Sequence, residues 1–156
     1  MVSPTLFKSS NPDWETPQWL FDELDQEFRF TCDVAADILN AKCANYIDAA
    51  WDALTVPWSA VNWCNPPYGR EVWRWVFKAH LEALGGNTTV MLLPARTDTA
   101  WFHAYIYGHY EIRFLRGRLT FVGAKSAAPF PSMIVVFRGG GEKDKNSVHL
   151  QPLPGK

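Results

Sequence analysis

Residues 65–68, with the sequence Asn-Pro-Pro-Tyr, follow an apolar stretch and bring oxygen acceptors next to an aromatic ring. The side-chain carbonyl of Asn65 accepts hydrogen bonds, and Pro66 keeps its backbone carbonyl although it has no N–H. Two such oxygens, held a few ångströms apart, can accept both hydrogens of an exocyclic amine and leave its nitrogen lone pair facing an electrophile. Tyr68 offers a flat surface for a planar base, and stacking on it is worth about 1–3 kcal/mol. These residue types favour methylation of an aromatic amine such as N6 of adenine.

The plain alternative for residues 65–68 is a turn, because Asn-Pro starts turns and the second proline, Pro67, does not continue a strand. The four letters alone do not decide between these interpretations. Their position favours the amine site, since they lie between a predicted apolar strand at 61–64 and a predicted helix that begins near residue 70.

The composition indicates one globular domain. The chain has 156 residues, of which 47% are hydrophobic and 20% are charged, so it can bury a core and is not of the disordered class. The formal net charge is -1, so contact with nucleic acid would need a local basic patch. Aromatic residues make up 15% of the chain, a high share that is typical of core filling and of stacking surfaces.

No metal site, leader peptide or membrane span is predicted. Cys32, Cys43 and Cys64 form no Cys-x-x-Cys pair and are odd in number, which argues against a zinc site and a disulfide framework. The N-terminal segment lacks a basic region followed by an apolar core, and no apolar run approaches the roughly 18 residues of a membrane helix. We therefore expect reduced cysteines and a cytoplasmic protein.

Hydrophobic periodicity predicts helices and strands in alternation. Apolar residues at helical spacing predict a helix over about 17–28, with Thr16 as its N-cap and Pro17 at the first helical position. A second helix follows residue 70 and ends at Gly85 and Gly86. Short helices are expected in "NAKCANYI" and "DTAWFHAYIYG". Strands are expected in "FRFTCDVAA", "VNWC", "TTVMLLPA", "YEIRFLRGRLTFVG" with a turn at Gly117, and finally "PSMIVVFRG".

This order of elements is typical of an α/β fold whose sheet has an antiparallel component near the C-terminus. In open sheets of this kind, ligands bind beyond the carboxyl ends of the strands. Three predicted strands end in residues that could form such a site, namely Asp33, Asn65, and Pro94 with Arg96 shortly after it.

Five segments, in sequence order, resemble the phage-type DNA N6-adenine methyltransferase family: "DWETPQWLFDELDQEFRFTCDVAADILNAKC", "NWCNPPYG", "LLPARTDTAWFH", "EIRFLRGRLTF" and "APFPSMIVVFR". They cover most of residues 13–138 and are more specific than "NPPY" alone. The resemblance implies a compact Rossmann-like methyltransferase sheet, mostly parallel with an antiparallel C-terminal strand and with helices on both faces. It also implies S-adenosylmethionine as the methyl donor and double-stranded DNA as the substrate, with the target adenine extruded from the duplex.

We expect an N-terminal arm at 1–15, a methyltransferase domain at 16–138 and a flexible C-terminal tail at 139–156, because the first segment is proline-broken and the last is glycine-rich and charged. No separate target-recognition domain is expected. The target sequence would then be read by loops within 96–130 or by a second subunit, and a homodimer is a further expectation. The resemblance also implies a phage or prophage protein that acts in the cytoplasm of a bacterial host.

The resemblance implies cofactor residues position by position. Thr16 and Pro17 match the segment that closes over the amino-acid end of S-adenosylmethionine, and Asp33 matches the acidic residue that orients its ammonium group. Ala35 and Ala36 stand where related enzymes often carry glycine, which leaves the geometry of that loop open.

Further roles follow from the same resemblance. Asp52 matches the acidic position that reads the adenine amine of the cofactor, while Asp37 and Asp48 are equal candidates for its ribose. On the DNA side, Phe130 matches an aromatic residue that stacks on the extruded base opposite Tyr68. Cations alternate with aromatic residues in "RFLRGRLTF", which favours a DNA-facing loop. The basic candidates are Arg96, Arg113, Arg116, Arg118 and Lys125.

Two alternatives stay open at this point. A catalytically silent nucleic-acid-binding module could keep the same fold, or the same chemistry could act on RNA or on a protein amide. Binding of S-adenosylmethionine separates such a module from an enzyme, and labelled cofactor offered to each polymer separates the substrates.

Overall fold

The computed structural model describes residues 14–140 and 148–152, and this part of the chain contains one six-stranded sheet. The strands are β1 (Cys32–Asp33), β2 (Val61–Cys64), β3 (Thr88–Pro94), β4 (Glu111–Arg116), β5 (Ser132–Phe137) and β6 (Val148–Pro152). Their spatial order is β1-β2-β3-β5-β4-β6. β5 is antiparallel to both of its neighbours, and the other pairings are parallel. The sheet is therefore mixed, with β5 running opposite to the rest.

Helices cover both faces of the sheet. Helix α1 (Gln18–Phe28) packs Leu20, Phe21 and Leu24 against one face, in the cluster that also contains Val90 and Leu92 of β3. Helix α2 (Val72–Leu84) packs against the other face, which buries the alternate β3 residues. This period-two alternation along β3 puts a hydrophobic core on each side of the sheet. The predicted α/β class and both long helices are confirmed.

The start of α1 differs from the prediction. The helix begins at Gln18, and its N-cap residue is Pro17, with no side-chain capping hydrogen bond. Thr16 is 2% exposed, and its hydroxyl oxygen accepts a hydrogen bond from the side chain of Asn65 instead. The predicted N-cap role of Thr16 is therefore wrong, because a longer-range contact takes its hydroxyl.

Two local predictions also fail. Residues 40–47 form bends and turns rather than a helix, and the Asp37 carboxylate organises the preceding turn by accepting from the N–H groups of Leu39 and Asn40. The chain after Gly117 makes only an isolated bridge between Val122 and Glu15 instead of a further strand. The structure of each segment depends on contacts that its hydrophobic periodicity does not reveal.

A few described residues of the predicted arm and tail pair with the main body of the chain. Glu15, at the end of the predicted arm, is bridged to Val122 of the main body. The predicted flexible tail contains β6, which pairs in parallel with β4. Residues 1–13, 141–147 and 153–156 lie outside the described residues. Within the part that is described, no helix is long and apolar enough to cross a bilayer.

A partly buried ion-pair network ties α1 to the sheet. Arg113 donates from its two terminal nitrogens to the Glu27 carboxylate, at 2.7 Å each, and from Nε to Glu111 at 2.6 Å. Arg138 donates to the other Glu111 oxygen at 2.7 Å. Burial raises the pKa of Glu111, but the hydrogen bonds from Arg113 and Arg138 outweigh it and hold the pKa below the ordinary 4.5. The ionised network therefore stabilises the fold.

Replacing Glu111 with glutamine is expected to lower the free energy of unfolding by about 1–3 kcal/mol at neutral pH, because it leaves buried charged donors poorly paired. The folded pKa of Glu111 is depressed, so its contribution is present above the unfolded pKa and is lost as pH falls through the folded pKa. Urea unfolding of both proteins should thus converge in acid. The control is Glu23→Gln on the exposed side of α1, and an equal loss there would contradict this account.

Candidate active site

A cleft of about 530 Å³ opens at the carboxyl ends of β1 and β2. Its walls come from residues 14–16, from 33–37 after β1, from parts of 47–53, and from 65–67 after β2. The volume lies within the roughly 300–1,000 Å³ that small-molecule sites occupy. The predicted location at the strand ends is where the structure places this cleft.

The Asn65 carboxamide is held in one orientation at the cleft wall. Its Nδ2 donates to the Trp14 backbone carbonyl at 2.7 Å and to Thr16 Oγ1 at 3.1 Å. A carbonyl only accepts, so the group that faces Trp14 must be the NH₂. Asn65 Oδ1 is buried and has no hydrogen-bond partner among the residues that the structure describes. Such an unpaired acceptor costs about 1–3 kcal/mol, and here it belongs to a residue that lines a ligand-sized cleft.

The two prolines of the motif line the same cleft. Pro66 is buried and Pro67 is exposed. Tyr68 is not among the lining residues, and its hydroxyl donates to the Leu92 carbonyl at 3.2 Å. Burial raises the pKa of the Tyr68 phenol well above its usual range, so this donor stays neutral. The ring is thus directed at the sheet rather than along the cleft wall.

The predicted stacking pair of Tyr68 and Phe130 is in contact but is not parallel. The ring centroids lie 5.8 Å apart at an interplanar angle of 82°. Trp14 packs edge-on against both Phe130 and Phe121, with centroids 5.2 Å apart in each case. A purine therefore has no slot between Tyr68 and Phe130 in this structure. The aromatic residues that line the cleft are Trp14, Trp63 and Trp75.

Trp14 is a site residue that the sequence did not single out. It was placed in the predicted arm, although it directly precedes the Glu-Thr-Pro segment assigned to the cofactor. That adjacency is the signal that could have found it.

Asp33 also lines the cleft and is 3% exposed. One carboxylate oxygen accepts from the Ala35 N–H at 3.2 Å, and the other accepts from the Lys42 N–H at 3.0 Å. Burial raises the pKa of Asp33, and these backbone hydrogen bonds oppose the shift only in part. A carboxylate that is fixed and poorly solvated in this way suits a cationic group of a ligand.

The loop after Asp33 needs no glycine. Among the described non-glycine residues, positive φ angles occur at Arg29 and Asp52, so Ala35 and Ala36 both take an ordinary backbone conformation. Asp52 has a φ of 47°, lines the cleft and accepts from the Leu54 N–H at 3.3 Å. The geometry that the sequence left open is therefore compatible with alanine.

The other predicted cofactor residues divide into two groups. Thr16 lines the cleft, as do both ribose candidates, Asp37 and Asp48, which the structure therefore does not separate. Pro17 is buried and is not among the lining residues. Its position at the start of α1 sets the direction of the chain after Thr16.

Comparison with known proteins gives the same assignment as the motif. The family model for DNA N-6-adenine-methyltransferase (Dam) matches residues 3–147. The chain belongs to the Dam family. A curated DNA N-6-adenine-methyltransferase of Escherichia phage T1 is 30% identical over 128 residues, which cover 76% of this chain and 53% of that protein. The chain thus spans about half the length of the curated relative that it matches.

Three exposed arginines of this Dam family member lie at the carboxyl ends of strands. Arg96 follows β3, Arg116 is the last residue of β4, and Arg118 follows β4 after Gly117. Because β2, β3 and β4 point the same way, these residues lie on the sheet edge that carries Asn65. Arg113 does not join them, since Glu27 and Glu111 hold its guanidinium.

Arg70 adds a cation that the sequence did not predict as part of the site. It is exposed and follows the motif by two residues, so it lies at the same edge. Its position directly after Tyr68 and a glycine is the signal that could have identified it.

Proposed function

We propose that this chain transfers a methyl group from S-adenosylmethionine to N6 of adenine in DNA. The single observation that carries the proposal is the buried, unpaired Oδ1 of Asn65, a residue that lines a cleft of ligand size. Membership of the Dam family supports the same reaction. A buried acceptor without a partner is rare in a folded protein, and an amine that donates to it is the partner that this chemistry supplies.

The cleft residues fit the proposed methyl donor. The Asp33 carboxylate offers a fixed negative charge for the ammonium group, and Asp52 offers a second acceptor on another wall. Ala35 completes the set that would hold S-adenosylmethionine, while Thr16, placed by Pro17, lines the same cleft and directs its hydroxyl to Asn65. When bound, this molecule supplies a methyl group on a sulfonium centre.

The motif residues act on the amine. Asn65 Oδ1 and the Pro66 carbonyl accept its two hydrogens, which orients the nitrogen lone pair and places negative dipoles where positive charge develops on nitrogen. Extruding the adenine from a duplex costs a few kcal/mol. Stacking on Tyr68 and Phe130 offsets that cost, and it requires the two rings to part from their present edge-on contact.

The exposed cations would hold the DNA backbone. Arg96, Arg116 and Arg118 lie at the carboxyl ends of the strands, as the cleft does. No ion pair to them is found among the described residues. Phosphate contacts from this edge would position the duplex over Asn65 without reading its sequence.

Replacing Arg118 with alanine is expected to weaken binding to all duplexes alike and to lower the slope of log Kd against log salt by about 1. The variant loses one phosphate contact and no contact with a base. The matched control is Arg29→Ala, an exposed cation that precedes β1 and so lies at the opposite edge of the sheet. Fluorescence anisotropy over a salt series measures both slopes, and equal slopes for the Arg118 variant and the unaltered chain would contradict the placement of DNA.

Four broader points belong to the same proposal. The helices on both faces and the cleft at the strand ends support a Rossmann-like methyltransferase sheet. The catalytic unit would include residues 16–138 together with Trp14. A homodimer and a site of action in the cytoplasm of a phage-infected host are also part of it. Each of these is open to separate test.

The test of function offers methyl-labelled S-adenosylmethionine with duplex DNA, RNA or protein as acceptor. The proposal predicts label in DNA, recovered as N6-methyladenine after digestion to nucleosides. Label in RNA or in a protein amide would show that the substrate is that polymer and not DNA, with the same methyl-transfer reaction. Binding of DNA without binding of S-adenosylmethionine would indicate a silent module instead.

A further inference from the structure

Residues 14–16, here called the anchor segment, contact three separate parts of the site. Toward the motif, the Trp14 carbonyl and the Thr16 hydroxyl accept from Asn65. Toward the loop before Phe130, the Glu15 carbonyl accepts from the Val122 N–H at 3.0 Å. The segment therefore joins the catalytic amide to the part of the chain that precedes the predicted stacking ring.

The third contact of the anchor segment is with the cofactor loop. The Glu15 carboxylate lies 3.6 Å from Lys42 Nζ, and the same lysine donates its backbone N–H to Asp33 at 3.0 Å. The amide of Asn65 and the carboxylate of Asp33 are thus connected through a short chain of contacts that passes through residues 14–16.

The orientation of the Asn65 amide depends on this segment. An asparagine side chain can present either its oxygen or its NH₂ to a ligand, since the two groups have nearly the same size. Rotation of the amide would turn Oδ1 against the Trp14 carbonyl oxygen and lose that hydrogen bond, and the Thr16 hydroxyl would then have to donate to the amide instead of accepting from it. Only the present orientation leaves the acceptor, rather than the donor, for an incoming amine.

We propose that Thr16 is a positioning residue for the reaction, and that its hydroxyl oxygen helps to fix Asn65 with Oδ1 available for the target amine. This rests on the proposed function and deepens it. The resemblance assigns Thr16 to the amino-acid end of the cofactor, whereas in the structure its hydroxyl contacts the amide of Asn65. The Trp14 contact is made by a backbone carbonyl and cannot be removed by substitution, so Thr16 is the part of the anchor segment open to test.

The test compares Thr16→Val, which removes the acceptor and keeps the shape, with Thr16→Ser, which keeps the acceptor. Methyl transfer to DNA is measured at saturating S-adenosylmethionine, and the Kd for S-adenosylmethionine is measured by calorimetry. We expect kcat to fall roughly tenfold or more in the valine variant, with Kd within about threefold of the unaltered chain. The serine variant should keep both values.

A second readout does not depend on activity. The side-chain NH₂ of Asn65 is identified in a nitrogen-15 NMR spectrum as the pair that is missing from the Asn65→Ala variant. Loss of the Thr16 acceptor should speed hydrogen exchange of one of its two protons, because that proton loses its partner. The serine variant should exchange at the original rate. Thermal unfolding checks the fold, and Thr16→Ala repeats the test if valine prevents folding.

Two results would overturn the positioning role. One is unchanged kcat and unchanged exchange in the valine variant. The other is weaker binding of S-adenosylmethionine with unchanged kcat at saturation, which would leave Thr16 to the cofactor alone. If the unaltered chain methylates no polymer, the proposed function fails by itself, and the exchange measurement still decides whether Thr16 holds Asn65.

Discussion

Replacing Asn65 with alanine is expected to lower kcat for methyl transfer by about 10³-fold or more, while the Kd for S-adenosylmethionine changes by less than about threefold. The variant lacks the buried oxygen that would accept from the target amine, and it leaves the Asp33 wall of the cleft intact. Initial rates with labelled cofactor and calorimetric titration measure the two quantities separately.

A matched control for the Asn65 variant is Asn87→Ala. Asn87 precedes β3, at the far edge of the sheet, and its Nδ2 donates to Glu82 at 2.8 Å. Its loss removes a carboxamide and a hydrogen bond of similar length outside the cleft, so the rate should stay close to that of the unaltered chain. A rate near normal in the Asn65 variant would remove the acceptor from the mechanism.

The second large effect is expected at Asp33. Asp33→Asn should raise the Kd for S-adenosylmethionine by roughly 10–100-fold, because a neutral amide replaces the charge that faces the ammonium group. The substitution also sets an NH₂ against one of the two N–H donors of Ala35 and Lys42, which disturbs the loop. Calorimetry measures the loss, and Asp98→Asn, an exposed aspartate outside the cleft lining, is the control.

The raised pKa of Asp33 predicts how the binding of S-adenosylmethionine depends on pH. Burial raises its pKa above the ordinary 3.8, so its contribution to stability is present below the unfolded pKa and is lost as pH rises through the folded pKa. A cationic ligand needs the ionised form. The Kd for S-adenosylmethionine should therefore fall as pH rises through that pKa, by up to about tenfold per pH unit. The asparagine variant should lack this dependence, and a profile that survives the substitution would assign it to another group.

Local hydrophobic spacing explains why the two long helices and β3 could be predicted from the sequence. Helices α1 and α2 bury residues at three- and four-residue spacing, and β3 alternates between two cores, so each element carries its own signal. Asn65 directly follows an apolar strand and Asp33 ends one, so the sequence predicts both at the carboxyl ends of the strands, where the cleft opens.

Long-range contacts explain what the sequence missed. The Thr16 hydroxyl would cap α1 on local grounds, but it accepts from Asn65, which is 49 positions away in sequence. Trp14 reaches the same amide across 51 positions. Likewise, β6 forms by pairing with β4, although its sequence reads as a charged, loose tail. No window of sequence contains both partners of such a contact.

The relative orientation of the Tyr68 and Phe130 rings also could not be predicted from the local sequence. Tyr68 and Phe130 were predicted as the two faces of a slot, and they meet edge-on because the Tyr68 hydroxyl donates to the Leu92 carbonyl of β3. Their stacking on a base stays a prediction. It requires a rearrangement that the hydrogen bond of Tyr68 opposes.

The most direct test of the central claim is the distance from Asn65 Oδ1 to N6 of the target adenine. It can be measured in a crystal structure of the chain with S-adenosylhomocysteine and a duplex that the chain methylates. We expect about 2.7–3.2 Å, with Nδ2 still directed at Trp14 and Thr16. An adenine amine bound elsewhere, or an Asn65 amide that turns its NH₂ toward the base, would contradict this mechanism.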